Sequence, residues 1–491
     1  MIKEGVLGMT HEEMKKRDEE IFRRMKASYY GDNITWVDKM GVPFPLEMYK
    51  ELFPLHHYVI GKESMDYWEE LRRTQWLKRE EILKLQAEKL KKIIDYAYGN
   101  VAFYRKRFDE AGVSPADIKT VDDLKKFPLL SKDDIKNNDL TSHMEFDPDT
   151  MLHVHTGGST AEPLEFNCDK KQLDYRLAAF LRLMEWTGWK WGDREMRCWF
   201  ATAGDGYKYP EIEKRDAFLF NRIFMSLYTL DDESIPAILQ EIEEKKPYVM
   251  DGYAEIFNCL AEYMKKHDIY LRVNAIISSS QTLTPKSREL MMKHFSCDVF
   301  DKYGCREFSG IANECEKHEG LHVNAENLIV EILKDGRPVE EGEVGEVVIT
   351  DLNNLATPFI RYRVGDTARF TGRSCSCGRG LPMIQNVEGR IQAIIQGTNG
   401  RYLVGTFFPH FVKDMKGIDK FQIRQDKFGE AKIYIVKNRN YTEEEMRGAI
   451  DEFRKYLGED MRFEIETVDD IPLYRGKRHH SISTLDFRFN Q

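Results

Sequence analysis

Between Tyr248 and Phe300 short apolar runs alternate with amphipathic stretches, and this alternation limits the fold more than any other feature of the chain. Tyr248-Val-Met-Asp-Gly-Tyr253 reads as a strand and Ala254 to Lys266 as a helix. Val273-Asn-Ala-Ile-Ile277 reads as the next strand, Thr284-Pro285 starts a helix ending near Phe295, and Cys297-Asp-Val-Phe300 is a third strand. Strands separated by helices of this length form parallel βαβ units. Parallel sheets take ligands where their strands run out into loops. The loops so marked are Gly252-Tyr253, Ser278-Ser-Ser-Gln-Thr282 and Asp301-Lys-Tyr-Gly304. The pattern predicts an α/β protein with its site at those carboxyl ends.

The rest of the chain is arranged around this block. Leu83, Ala87, Leu90, Ile94 and Ala97 recur at spacings of four and three, one face of an amphipathic helix that Gly99 stops. Further helix starts fall at Thr120-Val-Asp-Asp123 and Ser131-Lys-Asp-Asp134, and Asp169 caps a helix to about Trp186. From 321 to 370 the character changes: Leu328–Leu333 and Gly345–Thr350 read as antiparallel strands. Past Gly389-Arg390 comes a smaller α+β unit, with a hairpin in Phe421–Val436, a helix from Thr442 to about Tyr456 and a strand from Met461 to Ile465. Residues 1–76, opened by the capping box Thr10-His-Glu-Glu13, read as a helical extension that packs on the main body or on a second copy of the chain, as in a homodimer. The expected organisation is an extension at 1–76, a large domain at 77–388 with a β subdomain from about 321, and a small C-terminal domain at 389–491.

Composition removes several classes of function. The formal charge of −10 over 491 residues argues against a nucleic-acid binder. No apolar run reaches the roughly 20 residues of a membrane span, and Met-Ile-Lys-Glu-Gly is not a leader, so the reading is cytoplasmic. The eight cysteines are then expected to be reduced. Cys168, Cys198, Cys259 and Cys297 stand alone and read as packing residues. Cys375-Ser-Cys377 offers two thiolates, and Cys315 with His322, or else His318, could complete a tetrahedral structural zinc site. The plainer alternative is two unrelated turns.

Chemistry concentrates in a few motifs. Thr156, Gly157, Gly158, Ser159 and Thr160 form a loop whose glycines let backbone N–H groups approach an anion and whose hydroxyls add donors. It lacks the Gly-Lys-Ser/Thr ending of a Walker A loop, and an ordinary hairpin turn is the alternative. Tyr303-Gly304-Cys-Arg-Glu307 places a carboxylate that could hold Mg²⁺ beside an aromatic ring. Pro358-Phe-Ile-Arg-Tyr-Arg363-Val-Gly-Asp366 ends in an acidic residue after two arginines.

Taken together these motifs resemble the phenylacetate–coenzyme A ligase branch of the adenylate-forming enzymes, and within it the capsule-biosynthesis-like subgroup. The resemblance runs from about Leu77 to Gly476-Lys477. It implies the acyl-CoA-synthetase fold, with a large domain and a small mobile cap. It also implies a phosphate loop at Thr156–Thr160, an adenine and metal motif at Tyr303–Glu307, a ribose-binding Asp366 with Arg363 nearby, a hinge at Gly389-Arg390 and a catalytic Lys477. The chain departs from the pattern at Ala161 and Gln392, where glycine and aspartate are usual. It departs again at Gly397-Thr-Asn-Gly-Arg401, a loop that forms the thiolation site in the ligases. Tyr253, Ala254, Ser279 and Ser280 are the candidate acyl-pocket residues, together with the aromatic-rich Trp199–Tyr207. The implied reaction uses ATP, Mg²⁺ and coenzyme A to activate a carboxylic acid, aromatic or arylalkyl, as its thioester. The alternatives are transfer of the acyl or AMP group to an amine, hydroxyl or carrier protein, and a nucleotide-binding scaffold without turnover.

Overall fold

The computed structural model describes residues 62–141, 152–155, 164–199, 221–225, 229–388, 395–403, 407–412, 415–472 and 480–485. The helix expected from Thr10 and most of the 1–76 extension lie outside these residues. Three helices come first: α1 (Lys62–Thr74), α2 (Arg79–Asn100) and α3 (Ala102–Glu110). Two 3₁₀ turns (Pro115–Asp117, Val121–Lys126) and α4 (Lys132–Asn137) follow, so Thr120 caps a 3₁₀ turn and Ser131 a helix of barely more than one turn. An antiparallel pair, β1 (Leu152–His155) and β2 (Glu165–Cys168), leads to α5 (Lys170–Trp186), whose first turn is capped by the Asp169 carboxylate accepting from Gln172 N.

The expected βαβ block is present. It contains β3 (Glu195–Cys198), β4 (Arg222–Phe224), β5 (Thr229–Leu230), α6 (Ser234–Lys245), β6 (Val249–Tyr253), α7 (Ala254–Lys266), β7 (Ala275–Ser279), α8 (Pro285–Phe295) and β8 (Asp298–Cys305). Antiparallel strands then run β9 (Ser309–Glu314), β10 (Leu321–Val323), β11 (Leu328–Lys334), β12 (Arg337–Pro338), β13 (Val344–Asp351), β14 (Tyr362–Thr371) and β15 (Met383–Glu388). One sheet carries most of them, in the order β12-β11-β13-β14-β15-β10-β9-β8-β7-β6-β3-β4. It is parallel from β8 to β4 and antiparallel from β8 to β12.

The last part holds β16 (Ile395–Gln396), β17 (Tyr402–Leu403), α9 (Phe407–Val412), β18 (Ile418–Lys427), β19 (Glu430–Lys437), α10 (Glu443–Leu457), β20 (Arg462–Thr467) and β21 (Ser481–Ser483). Its four-stranded sheet, β20-β19-β18-β21, has its own core around Phe408, Ile433 and Phe453. The β16–β17 hairpin pairs instead with β5 (Tyr402↔Leu230, Leu403↔Thr229).

Two expectations are corrected here. The buried stripe of α2 is Ile82, Gln86, Leu90, Ile93, Ile94 and Ala97, with Leu83 and Ala87 only partly covered. Gln86 takes a core position because its Nε2 donates to the Leu328 carbonyl at 2.9 Å, which satisfies a buried amide. Asp301–Gly304 and Gly252-Tyr253 are not loops. They are strand residues, because β8 continues to Cys305 and β6 to Tyr253.

A buried ion pair joins the first helix to the body. Arg182 Nη1 of α5 lies 2.7 Å from Glu326 Oε1, and Thr74 Oγ1 of α1 donates to the same oxygen at 2.7 Å. Removing one partner of such a pair costs about 3–5 kcal/mol, because the other is left charged and dry.

Candidate active site

The site is built where β8 turns into β9. Tyr303 is buried near the end of β8, and its hydroxyl donates to Asp366 Oδ2 of β14 at 3.0 Å. Burial, and then the Asp366 charge, raise the Tyr303 pKa well above that of an ordinary phenol, so the hydroxyl stays protonated and donates. Gly304 follows because nothing larger fits. A Cβ there would lie 2.0 Å from the Ser309 carbonyl oxygen. Glu307 is buried in the turn. It accepts from the Tyr362 hydroxyl at 3.2 Å, and its own carbonyl accepts from the Arg176 guanidinium. Tyr303, Glu307 and Asp366 are thus gathered by one tight hairpin and one strand.

The two arginines of the Pro358–Asp366 stretch are already engaged. Arg361 is buried in the left-handed region (φ 53°), and its guanidinium pairs with Glu331 at 2.9 and 3.0 Å and donates to the Phe127 carbonyl at 2.6 Å. Arg363 is half exposed and is held by Glu346, Nε to Oε1 at 2.9 Å. Glu331 and Glu346, from the neighbouring strands, are thus the partners of these two arginines.

The flanks of the Gly/Ser/Thr loop are tied to the same stretch. β1 and β2 pair with His155 opposite Glu165. Asn167 N donates to Thr357 Oγ1 at 3.1 Å, and Asn354 Nδ2 donates to the Asn167 carbonyl at 2.9 Å. Thr156, Gly157, Gly158, Ser159 and Thr160 themselves lie outside the described residues, as do Arg390, Gln392 and Lys477.

The candidate acyl-pocket residues stand at the carboxyl ends of the parallel strands. Tyr253 closes β6, Ala254 opens α7, Ser279 closes β7 and donates to the Lys302 carbonyl at 3.1 Å, and Ser280 is exposed with φ 72°. Trp199 packs edge-on against Tyr253, ring centroids 4.7 Å apart; residues 200–207 lie outside the description. Sequence reasoning missed the buried pair beside them. Lys302 Nζ sits 2.6 Å from Asp251 Oδ1, and Trp199 Nε1 donates to Oδ2 of the same carboxylate at 2.9 Å. The available signal was a lysine and an aspartate inside otherwise apolar strands.

A second cluster lies behind the hairpin. The ligand atoms of Cys315, His322, Cys375 and Cys377 all fall within 4.8 Å of one another. Cys315 Sγ is 3.7 Å from Cys375 Sγ, and Cys377 Sγ is 3.5 Å from His322 Nε2. The sulfurs are too far apart for a disulfide. A tetrahedron with Zn–S of about 2.3 Å and Zn–N of about 2.0 Å has edges of about 3.8 and 3.5 Å, which these distances fit. Burial pushes the His322 pKa down to about 4, so the imidazole is the neutral form that ligates. His318 faces elsewhere, its Nδ1 3.1 Å from Glu314 Oε2.

Residues 395–483 match the CapK C-terminal domain family. The chain is 26% identical over 410 residues to a phenylacetate-coenzyme A ligase of Aromatoleum evansii, covering 79% of this chain and 88% of the relative. It is 24% identical over 345 residues to Protein CapK of Staphylococcus aureus, covering 69% and 72%. Among solved structures, 2-hydroxyisobutyryl-CoA ligase in complex with 2-HIB-AMP and CoA superimposes with a TM-score of 0.60 at 20% identity, over 84% of this chain and 91% of that one. The fold is that of the acyl-CoA synthetases. In sequence the chain is similar to phenylacetate–CoA ligases and to CapK, and its residues 395–483 match the CapK C-terminal domain family.

Proposed function

We propose that this chain activates a carboxylic acid with ATP, releasing pyrophosphate, and transfers the acyl group from the resulting adenylate to coenzyme A. The observation that carries the reading is the Tyr303–Asp366 contact beside Glu307. A ring and a carboxylate held together at a strand end suit an adenosine, with Asp366 accepting from the ribose hydroxyls. Such chemistry asks the protein for positioning and charge neutralisation. Glu307 would hold Mg²⁺, an oxygen-seeking ion that shields phosphate charge. Thr156, Gly157, Gly158, Ser159 and Thr160 would steady the leaving pyrophosphate, and Lys477 would meet the charge that builds on the α-phosphate. Arg390 would serve as the hinge of the C-terminal part.

The acceptor reading draws on the loop at 397–401. Its hairpin reaches the large part through β5, and Arg401 Nε lies 3.5 Å from Asp231 Oδ2. The Cys315, His322, Cys375 and Cys377 set would hold a structural Zn²⁺, since four protein ligands leave no open position. ATP and coenzyme A as substrates, with no disulfide among the cysteines, fit the cytoplasm. No described helix is long and apolar enough to cross a membrane.

Pyrophosphate exchange over a panel of acids tests the first half-reaction, and mass detection of a coenzyme A thioester tests the second. No exchange with any acid, alongside tight ATP binding, would leave a nucleotide-binding scaffold. Exchange without a thioester would point to another acceptor.

A further inference from the structure

The leaving group of the proposed reaction calls for more positive charge than the loop assigned to it brings. Pyrophosphate departs as a strong anion, and clamps of arginine, lysine and metal offset charge on moving phosphoryl groups. The stretch from Thr156 to Pro163 contains no lysine or arginine, and its one charged residue is Glu162. Arg361 and Arg363 are taken up by Glu331 and Glu346. Arg176 is placed differently. It lies on the second turn of α5, and Phe180 stands one turn further along the same face. The Phe180 ring is 5.5 Å from Lys302 Nζ, near the end of β8. Arg176 reaches past that end, where its Nη2 donates to the Glu307 carbonyl. The guanidinium therefore rests against the residue assigned to Mg²⁺. On its other flank is β2, the strand that returns from the Thr156–Pro163 stretch and ends at Cys168. Burial pushes the Cys168 thiol up to about 11, and the positive charge of Arg176 acts against that rise.

The bonding of Arg176 is incomplete. A guanidinium carries more donors than one carbonyl uses. Its Nε is buried and meets no acceptor, and no carboxylate among the described residues bonds to the group. Asp351 feels its charge but is bonded by others, Gln172 Nε2 at 3.0 Å and Asn353 N at 2.8 Å. Arg182 of the same helix shows the contrast, paired with Glu326 at 2.7 Å. A buried donor without an acceptor costs free energy until something accepts from it.

We infer that Arg176 binds the β- and γ-phosphates of ATP and holds them as they leave as pyrophosphate, supplying the cation that the Thr156–Pro163 stretch lacks. A guanidinium suits phosphate because its fork of N–H groups matches the spacing of two oxygens. The Glu307 carbonyl fixes one corner of the fork, and the remaining donors are left for the phosphates. As the carboxylate oxygen of the acid bonds to the α-phosphorus, the bond to the bridging oxygen breaks. Its electron pair stays on the pyrophosphate, beside Arg176. The inference rests on the adenylation proposed above and names the residue that takes its leaving group.

The test is calorimetric titration of MgATP and of AMP into full-length wild type, Arg176→Met and Arg176→Lys, with pyrophosphate exchange run alongside. AMP has the adenosine and the α-phosphate but not the two phosphates assigned to Arg176. Arg176→Met is expected to weaken MgATP binding by at least about tenfold, the scale of a charged hydrogen bond, and to leave AMP binding unchanged. The KM for pyrophosphate in exchange should rise by a similar factor. Arg176→Lys keeps the charge without the fork and should fall between the two. An arginine that only shapes the Glu307 turn would weaken both nucleotides alike or neither. Either result, in a wild type that exchanges, overturns the inference and leaves adenylation standing. No exchange by the wild type with any acid overturns the adenylation reading and this inference with it.

Discussion

Tyr303 and Asp366 meet through a 3.0 Å hydrogen bond although β9, β10 and β15 separate their strands in the sheet. The antiparallel half must therefore curl back on itself, which brings a ring and a carboxylate from distant sequence to one place. Tyr303→Phe keeps the ring and deletes one bond. It should lower kcat/KM for ATP in pyrophosphate exchange by about fivefold, the net worth of one such bond. Asp366→Ala, which removes the proposed acceptor for the ribose, should lower it by about a hundredfold or more. If both variants exchange like the wild type, the nucleotide lies elsewhere.

Protein purified without added metal should contain close to one equivalent of zinc by elemental analysis. Cys375→Ser or His322→Ala should remove it and lower the melting temperature by several degrees, since a structural ion binds the folded state only. Affinity should fall as the medium is acidified, because the thiols must lose protons to bind. Full-length protein that is metal-free and just as heat-stable would contradict the assignment.

Lys477→Ala should abolish pyrophosphate exchange while sparing thioester formation from a synthetic acyl-adenylate. A lysine that only meets the α-phosphate has no task once the adenylate exists. Equal loss in both half-reactions would mean that Lys477 does something else.

The Asp301 carboxyl has its pKa pushed up to about 7, first by burial and then by Glu314. Between about pH 4 and about pH 7 the folded chain then keeps a proton that the unfolded chain has released. That contribution to stability is present at the acid end and is lost as pH rises through the window, by at most about 1.4 kcal/mol per pH unit. Urea midpoints should fall across this range in the wild type and flatten in Asp301→Asn. A variant with the same slope would assign the effect to another group.

The βαβ block was legible because its cues are local. Thr284 caps α8 by accepting from Ser287 N, and α7 spans Ala254 to Lys266 as its apolar spacing requires. The cysteine–histidine set was legible because few residue types can serve as ligands. What stayed hidden depends on distant partners. Asp301 and Lys302 look like loop residues until the Glu314 and Asp251 carboxylates beside them are known. Nothing in the sequence pointed to Glu331 and Glu346 as the partners of Arg361 and Arg363. Gln86 looks wrong for a helix core until the Leu328 carbonyl is found above it.

Cys315 directly follows the strand that returns from the Tyr303 hairpin, and Cys375 follows the strand that carries Asp366. A zinc ion held between their sulfurs, as proposed, would work as a rivet behind two jaws, fixing how wide they stand without touching what they grip. Starving the protein of that rivet should therefore show up first as a looser hold on nucleotide, well before the sheet itself comes apart.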